Sequence, residues 1–322
     1  MSIIKLSDGR ALDYITNESE NTSAILFHHG TPGECTGWQT WFDEIDGVKA
    51  IAASRPGYGL SDRNKGRTVA SDLADQNELL KEFGVEKFVS IGWSGGGPHC
   101  IANTLEFRNV GAISLAGVGA FGVDDLDFLA GMGPENHDEF GAALKGEAVI
   151  DQWMEDNAGS MKSVTGDQIR EAFGGLIGDA DKAVLEGETA DQMASSMRSA
   201  LAVSFDGWID DDLAFTKPWG FDLKAISKPV YVWQGDDDFM VPHAHSYWLE
   251  KHIPTATLSF KPGEGHISLG IKYRSEILAQ AQDQHVSRKS SPNNSAWKSP
   301  RSPMRKPSWP TSVPTRWTQW NW

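Results

Sequence analysis

The hydrophobic positions of the chain fall into short apolar runs that alternate with segments of helical periodicity. Two brief alternating segments around Asp8-Gly9 are typical of a hairpin. Apolar runs that end near glycine or proline predict buried strands, namely "AILFHHG", "VKAIAASRPGYG", "KFVSIGW", "VGAISLAGVG", "KPVYVWQGDDD" and "ATLSFKPGEGH". Apolar residues at helical spacing predict helices, namely "TVASDLADQNELLKEFG", "GPHCIANTLEF", "PHAHSYWLEKHIP" and "ISLGIKYRSEILAQAQ". This alternation favours an α/β fold with a mostly parallel sheet and helices on both faces.

Residues 119–217 interrupt this alternation. The segment contains no clear buried strand, and apolar residues such as Phe140 and Trp153 recur at roughly helical spacing. It lies between two predicted strands, so we expect a helical insertion that folds over one edge of the sheet. Within it, acidic clusters such as "GVDDLD" and "IDDDL" resemble solvated polar loops. The pattern predicts a core made of residues 1–118 and 218–285 and a helical lid made of residues 119–217.

Residues 286–322 differ in composition from the rest of the chain. The whole sequence carries 29 basic and 44 acidic residues, whereas this segment holds seven basic residues and no acidic one. It also contains six of the 15 prolines and five of the 13 tryptophans, without hydrophobic periodicity. Such a segment cannot bury enough apolar surface to offset the entropy of ordering, and we expect a disordered tail. Its role stays open between an appendage without catalytic consequence and a basic, aromatic segment that adheres to an anionic surface.

Charge and cysteine content narrow the class of protein. The formal net charge of −15 argues against nucleic acid as the main partner, because phosphate binding requires a basic face. The two cysteines, Cys35 and Cys100, indicate neither a disulfide framework nor a zinc site. The N-terminal residues lack a signal-peptide pattern, and no run of about 18 apolar residues predicts a membrane span. We expect a cytoplasmic protein that uses no metal ion and no other cofactor.

A serine lies among glycines where one predicted strand meets a predicted helix. Gly92-Trp93-Ser94-Gly95-Gly96 has the pattern G-x-S-x-G in the strand–turn–helix context that this motif requires. Glycine at the first and last positions permits a close approach of strand, turn and helix that a Cβ atom would block. The turn would hold the serine hydroxyl at the carboxyl end of the sheet and direct the Gly95 N–H toward the same point. The alternative is a plain glycine-rich turn.

A serine hydroxyl is a weak nucleophile and needs a base that is itself held by an acid. Downstream, Asp236, Asp237 and Asp238 directly follow a predicted strand, and His266 follows the next strand in "KPGEGHISL". The carboxyl ends of parallel strands meet at one edge of a sheet, so we expect these side chains to lie near Ser94. Their chain order of serine, aspartate and histidine is that of α/β-hydrolases.

Five segments together resemble the α/β-hydrolase superfamily over most of the chain, from about Ile3 to Gln284. "FHHGTPG" is similar to the oxyanion loop of that family, "SRPGYGLSD" to the stretch after the next strand, and "GWSGGGP" to the nucleophile elbow. "QGDDDFMVP" resembles the segment that holds the family's acid, and "GEGHISL" the segment with its catalytic histidine. The resemblance implies the α/β-hydrolase fold and a catalytic triad.

The resemblance also assigns a role to each site residue. In the family, the acid stands three residues after the glycine and four before the proline of its segment, which selects Asp238. Ser94 then attacks an acyl carbonyl, and His266 takes the serine proton and passes it to the leaving group. The oxyanion would be met by the backbone N–H of Gly95 and, by the resemblance, by that of Thr31.

The serine at position 94 excludes some relatives, because haloalkane dehalogenases and epoxide hydrolases of this fold use aspartate there. We expect a carboxylesterase-type serine hydrolase that takes a small uncharged ester or lactone. One alternative is a proline-iminopeptidase-like aminopeptidase, which "HGTPG" favours but the elbow does not. Another is a hydrolase-fold receptor that binds a ligand with little turnover. The candidate substrate pocket consists of His29, Trp93, Phe140, Leu144 and Trp153.

Overall fold

An eight-stranded sheet organises residues 1–286, the part of the chain that the computed structural model describes. The strands are β1 (Ser2–Lys5), β2 (Ala11–Thr16), β3 (Ser23–His28), β4 (Lys49–Ala53), β5 (Lys87–Trp93), β6 (Asn109–Leu115), β7 (Val230–Gly235) and β8 (Ala256–Lys261). They lie in the order β1-β2-β4-β3-β5-β6-β7-β8. β1 and β2 form the predicted hairpin, β2 pairs antiparallel with β4, and the remaining pairs are parallel.

Helices connect the strands and cover the sheet. They are α1 (Gln39–Phe42), α2 (Asp72–Glu82), α3 (Gly96–Ala102), α4 (Pro134–Ala143), α5 (Glu147–Asn157), α6 (Gly166–Phe173), α7 (Asp179–Val184), α8 (Gly187–Ala200), α9 (Asp206–Phe215), α10 (Ala244–His252), α11 (Ser268–Lys272) and α12 (Arg274–Val286). The single last helix that the sequence predicts is divided at Tyr273, whose ring lies 6.0 Å from that of Trp233. The predicted tail lies outside the described residues except for Val286, where α12 ends.

Alternate residues of one strand show that both faces of the sheet are covered. In β3, Ile25 and Phe27 belong to a buried cluster that includes Ile277 of α12. The residues between them, such as Leu26, belong to a different cluster that includes Leu79 of α2. Successive side chains of a strand point to opposite faces, so helices pack on each side. This arrangement confirms the predicted α/β fold with helices on both faces.

Helices α4–α9, called the cap below, occupy the chain between β6 and β7 and share a buried apolar cluster. The helices begin only at Pro134 rather than near residue 119. In the glycine-rich stretch before it, Leu126 and Phe128 are buried in another cluster, together with Trp248 of α10. These apolar residues pack individually against the core, and no periodic helical face is needed to bury them.

The interpretation of "IDDDL" as a polar loop is wrong. Asp210, Asp211 and Asp212 lie inside α9, and all three are buried. A carboxylate can be buried when a partner compensates its charge. Arg63 bonds Asp210 at 2.9 Å, and Arg55 lies 2.6 Å from Asp211. Local composition indicated a solvated segment because these cations are far away in sequence.

The cap meets the core through two glycines in close contact. Gly57 has a φ of +89°, and a Cβ atom at this position would lie 2.6 Å from the backbone nitrogen of Gly207 in α9. The Gly207 N–H donates a hydrogen bond to the Gly57 carbonyl at 3.2 Å. Glycine is therefore required at position 57 both for its backbone conformation and for the close packing of the cap.

We predict that Gly57→Ala destabilises the protein far more than Gly9→Ala. Gly9 has a similar φ of +93°, but an added Cβ there would meet nothing within 4 Å. Gly9→Ala should cost about 1 kcal/mol from left-handed strain alone, and Gly57→Ala about 2 kcal/mol more, because backbone must shift. Urea unfolding of both variants measures the difference. Equal losses of stability would contradict close packing of the cap at Gly57.

Candidate active site

The serine of the G-x-S-x-G motif stands on a strained turn between β5 and α3. Ser94 has a φ of +56°, in the left-handed region that non-glycine residues seldom adopt. A Cβ atom at Gly92 would collide with the Gly96 carbonyl, and one at Gly96 with the His28 carbonyl. The turn is fixed by hydrogen bonds of 2.9 Å from the Ser94 N–H to the Leu115 carbonyl and from Gly97 to Ser94. These contacts explain why glycines flank the serine.

His266 and Asp238 form a buried pair at the carboxyl edge of the sheet. Nδ1 of His266 lies 2.9 Å from Oδ2 of Asp238, and both residues are almost fully buried. Oδ1 of Asp238 accepts the N–H groups of Met240 and Val241 at 3.0 and 2.8 Å, and Gln234 donates to Oδ2 at 3.0 Å. An ionised carboxylate accepts only, so Nδ1 carries the proton and Nε2 is left as an acceptor.

The neighbouring aspartates have other partners. Asp236 is exposed and accepts the Gly263 N–H at 2.6 Å, while Asp237 accepts the Ala180 N–H at 2.8 Å. Of the three consecutive carboxylates, the structure pairs only Asp238 with His266.

Burial and charge oppose each other at His266. Burial disfavours the imidazolium, but the carboxylate of Asp238, its hydrogen bond and the charge of Asp181 outweigh this effect, so the pKa of His266 is raised above its usual value. An imidazole in this setting is ready to accept a proton, since the charged form that results is stabilised where it arises.

A cap residue holds the backbone around His266. Oδ2 of Asp181 accepts the His266 N–H at 3.0 Å, and Oδ1 accepts the N–H groups of Ile267 and Ser268, each at 2.8 Å. Asp181 itself is fully buried, and burial raises its pKa despite these hydrogen bonds. The cap chain just before α7 also forms an antiparallel bridge from Ile177 to Asp238. The cap therefore contacts both the loop that carries His266, called the histidine loop, and the loop that carries Asp238, called the acid loop.

Trp93 joins the serine turn to the histidine loop. Its indole N–H donates to the His266 carbonyl at 3.1 Å, and the two rings lie 5.2 Å apart between centroids. Trp93 directly precedes Ser94, so this contact sets the end of β5 against the loop that carries the imidazole. The tryptophan thus belongs to the framework beneath the site.

The proposed oxyanion loop touches the serine turn. A Cβ atom at Gly95 would collide with Oγ1 of Thr31. The Thr31 hydroxyl donates to Asp211 of the cap at 2.6 Å. Below the loop, Nδ1 of His29 lies 2.7 Å from the Gly30 carbonyl, and its Nε2 accepts the Arg55 N–H at 2.9 Å. Burial and the nearby guanidinium lower the pKa of His29 well below its usual value, so it is a neutral support.

A buried ion cluster fixes this loop from beneath, and sequence reasoning missed it. Asp211 lies 2.6 Å from each of Arg55 and Arg67 and accepts the Tyr58 hydroxyl at 2.9 Å. Burial alone would raise the pKa of Asp211, but the two guanidinium groups hold it well below its usual range. Arg55 also donates to the carbonyls of His29 and Gly30 at 2.5 and 2.9 Å. The trace of this cluster in the sequence is Arg55, a charged residue that follows the predicted buried strand in "SRPGYG".

A cavity of about 330 Å³ opens at the serine. Ser94, Thr31 and Gly95 line it, together with the cap residues Phe140 and Trp153. The structure thus brings two of the five candidate pocket residues to the serine.

The other three candidate pocket residues do not line this cavity. His29 and Trp93 line a second cavity of about 350 Å³. Leu144, which directly follows α4, lines neither cavity and is 51% exposed.

Residues 1–286 contain neither a cluster suited to a metal ion nor a helix suited to crossing a membrane. Within that range, no group of three or more histidine, cysteine, aspartate or glutamate side chains is arranged to hold a metal ion. Among the helices described there, none has the length and apolar composition needed to cross a membrane.

The sequence matches a family model described as the alpha/beta hydrolase family over residues 25–279. The chain belongs to this family. It is 27% identical to a non-heme chloroperoxidase of Streptomyces lividans over 250 residues, which span 76% of this chain and 84% of the relative. It is 26% identical to a non-heme haloperoxidase of Rhodococcus erythropolis over 275 residues, or 83% and 93% of the two chains.

Solved structures of similar fold include an esterase and a bromoperoxidase. An esterase from a Rhodococcus species aligns with a TM-score of 0.65 at 19% identity, covering 88% of this chain and all of the other. A bromoperoxidase from Bacillus anthracis aligns with a TM-score of 0.64 at 18% identity, covering 88% and 99%. At these identities the likeness establishes the fold, and the family and its neighbours support a hydrolase.

We predict that Asp181→Asn lowers the pKa of His266. The Asp181 carboxylate raises that pKa, and an asparagine would remove the charge and set its NH₂ group against backbone N–H donors. NMR titration of the imidazole measures the effect without relying on any activity. Asp179→Asn, an exposed change in the same helix, is the control and should leave the pKa unchanged. An unaltered His266 pKa in Asp181→Asn would contradict this role.

Proposed function

We propose that the protein is a serine hydrolase that cleaves a carboxylic ester, with Ser94 as nucleophile, His266 as general base and acid, and Asp238 as the residue that orients the imidazole. The observation that carries the proposal is the buried hydrogen bond of 2.9 Å between His266 and Asp238, at the edge where Ser94 stands on its strained turn. A serine, an imidazole with a free Nε2 and a buried carboxylate are the groups that acyl transfer needs.

The reaction would proceed in two steps. Ser94 Oγ attacks the ester carbonyl while Nε2 of His266 takes its proton, and the imidazolium returns that proton to the departing alkoxide as the alcohol leaves. Water then attacks the acyl-enzyme, again giving up a proton to His266, which passes it to Ser94 as the carboxylic acid departs. The backbone N–H groups of Gly95 and Thr31 would stabilise the oxyanion in both steps.

The cavity and the relatives support an ester substrate. Phe140, Phe173 and Phe215 line the cavity that contains Ser94 and offer apolar surface for an acyl chain. A chloroperoxidase is among the relatives and an esterase is among the structural neighbours, and the pairing of His266 with Asp238 near the Ser94 turn supports ester hydrolysis. We also propose that residues 119–217 act as a lid, since cap residues form much of the cavity wall.

We predict that Ser94→Ala abolishes hydrolysis of p-nitrophenyl esters, with a fall of at least about 10³-fold in kcat. The wild-type protein should also react with a fluorophosphonate probe at Ser94, and the variant should not. The melting temperature serves as the folding control, because alanine meets the same backbone strain as serine. Activity within about tenfold of the wild type would remove Ser94 from the mechanism.

We predict that Asp238→Asn lowers kcat by about 10⁴-fold, because asparagine favours the wrong imidazole tautomer. Asp236→Asn is the matched control two residues away. Its carboxylate is exposed and contacts Gly263 rather than His266, so kcat should stay near the wild-type value. Steady-state kinetics of both variants decide the assignment, and the reverse pattern would assign the acid's role to Asp236.

A further inference from the structure

The cavity at Ser94 has acidic walls that the apolar substrate pocket does not explain. Four carboxylic side chains line it, and no lysine, arginine or histidine appears among its lining residues: the acids are Glu135, Asp138, Glu139 and Asp212. Two of them, Glu139 and Asp212, are also buried. A concave surface that carries charge of one sign attracts a ligand of the opposite sign.

Asp212 differs from the two aspartates that precede it because no arginine within residues 1–286 pairs with it. Arg63 pairs with Asp210, and Arg55 and Arg67 pair with Asp211. Asp212 has 0% exposure, yet neither of its oxygens accepts a hydrogen bond from any N–H or hydroxyl group in the described residues. A buried carboxyl group without such partners is costly, and this cost calls for an explanation in the function of the site.

Glu139 of α4 also lines the cavity and is a neighbour of Asp212. The indole N–H of Trp208 donates to Oε1 of Glu139 at 2.6 Å. Burial and the charge of Glu139 raise the pKa of Asp212 well above its usual range, and burial raises that of Glu139. Two close carboxyl groups cannot readily ionise together, so we expect the pair to retain a proton where no cation lies beside it.

We propose that Glu139 and Asp212 form a subsite for a protonated amino group, so that the substrate of Ser94 carries an alkylammonium group on its acyl or alcohol part. This inference rests on the proposed hydrolysis and names the class of substrate. An ammonium group supplies N–H donors to the oxygens of Asp212 and the positive charge that allows both carboxyl groups to ionise.

The surrounding side chains fit a cation with an apolar body. Trp153, Trp208 and the phenylalanines of the cavity present aromatic surface, which suits both methylene groups and the ammonium charge. The same cavity contains Ser94, Thr31 and Gly95, so a single small molecule can reach the carboxyl pair and the nucleophile together. The sequence predicts an uncharged substrate because the acidic residues of the cap resemble solvated loops. Glu139 and Asp212 are buried instead, so this argument does not apply to them.

Binding to the full-length Ser94→Ala protein tests the subsite without requiring hydrolysis. Isothermal titration calorimetry should show that benzylamine, protonated at neutral pH, binds at least about tenfold more tightly than benzyl alcohol, its neutral counterpart. Titrations in two buffers of different ionisation enthalpy should show proton release with benzylamine only, because the pair gives up the proton that it retains without a cation.

Charge-neutral variants in the Ser94→Ala background identify the residues responsible. Asp212→Asn and Glu139→Gln should each remove the preference for benzylamine, and Asp212→Asn should fold well because it relieves the repulsion between two adjacent buried carboxyl groups. Asp151→Asn is the control, since Asp151 is exposed on α5 and lies outside the cavity. Equal affinities for the two ligands, no binding of benzylamine, or a preference that survives in both variants would overturn the subsite.

A kinetic comparison in the wild-type protein separates this inference from the proposed function. The substrates are the p-nitrophenyl ester of an ω-amino acid and that of the fatty acid with methyl in place of ammonium. We expect kcat/KM to favour the ammonium ester by about tenfold or more. Hydrolysis of both esters without preference would support the proposed hydrolase and contradict the ammonium subsite. Selective binding of benzylamine without hydrolysis of either ester would support the subsite and contradict the hydrolase.

Discussion

The buried carboxylate of Asp211 is the interaction on which the site depends. It lies in the cap, yet it neutralises Arg55 and Arg67 of the core and accepts the hydroxyl of Thr31. Arg55 in turn binds two carbonyls of the proposed oxyanion loop. Without Asp211, two guanidinium groups would lie uncompensated in the interior, a loss of several kcal/mol in comparable cases. The loop beside Ser94 is thus held by a charge that the cap supplies.

The sequence predicts those parts of the molecule whose causes are local. The turn around Ser94 needs Gly92 and Gly96 because neighbouring backbone leaves no room for a Cβ atom, and this requirement is visible as a motif. The strands show as apolar runs because both faces of the sheet are buried. The resemblance to hydrolases selected Asp238 from three adjacent aspartates, and the structure pairs that residue with His266.

The remaining features arise from contacts between residues far apart in sequence. Asp181 binds the backbone of a loop 85 to 87 positions away, and Asp211 meets Arg55 across 156 positions. Local composition predicts that such aspartates are solvated, because the partners of a carboxylate come close to it only when the chain has folded. For the same reason, local composition indicates a polar loop at Asp212. Helical spacing does not show which side of the cap meets the cavity, and Leu144 is exposed instead of lining it.

The segment from Ile177 to Asp181 limits how freely the cap of this protein could be exchanged. It bonds to the acid loop at Asp238 and to the histidine loop at His266, while α9 anchors the other side of the cap. A foreign cap grafted between β6 and β7 would remove these anchors together with the cap side of the cavity wall. New specificity is therefore more accessible by changing residues that face the cavity than by exchanging the cap as a module.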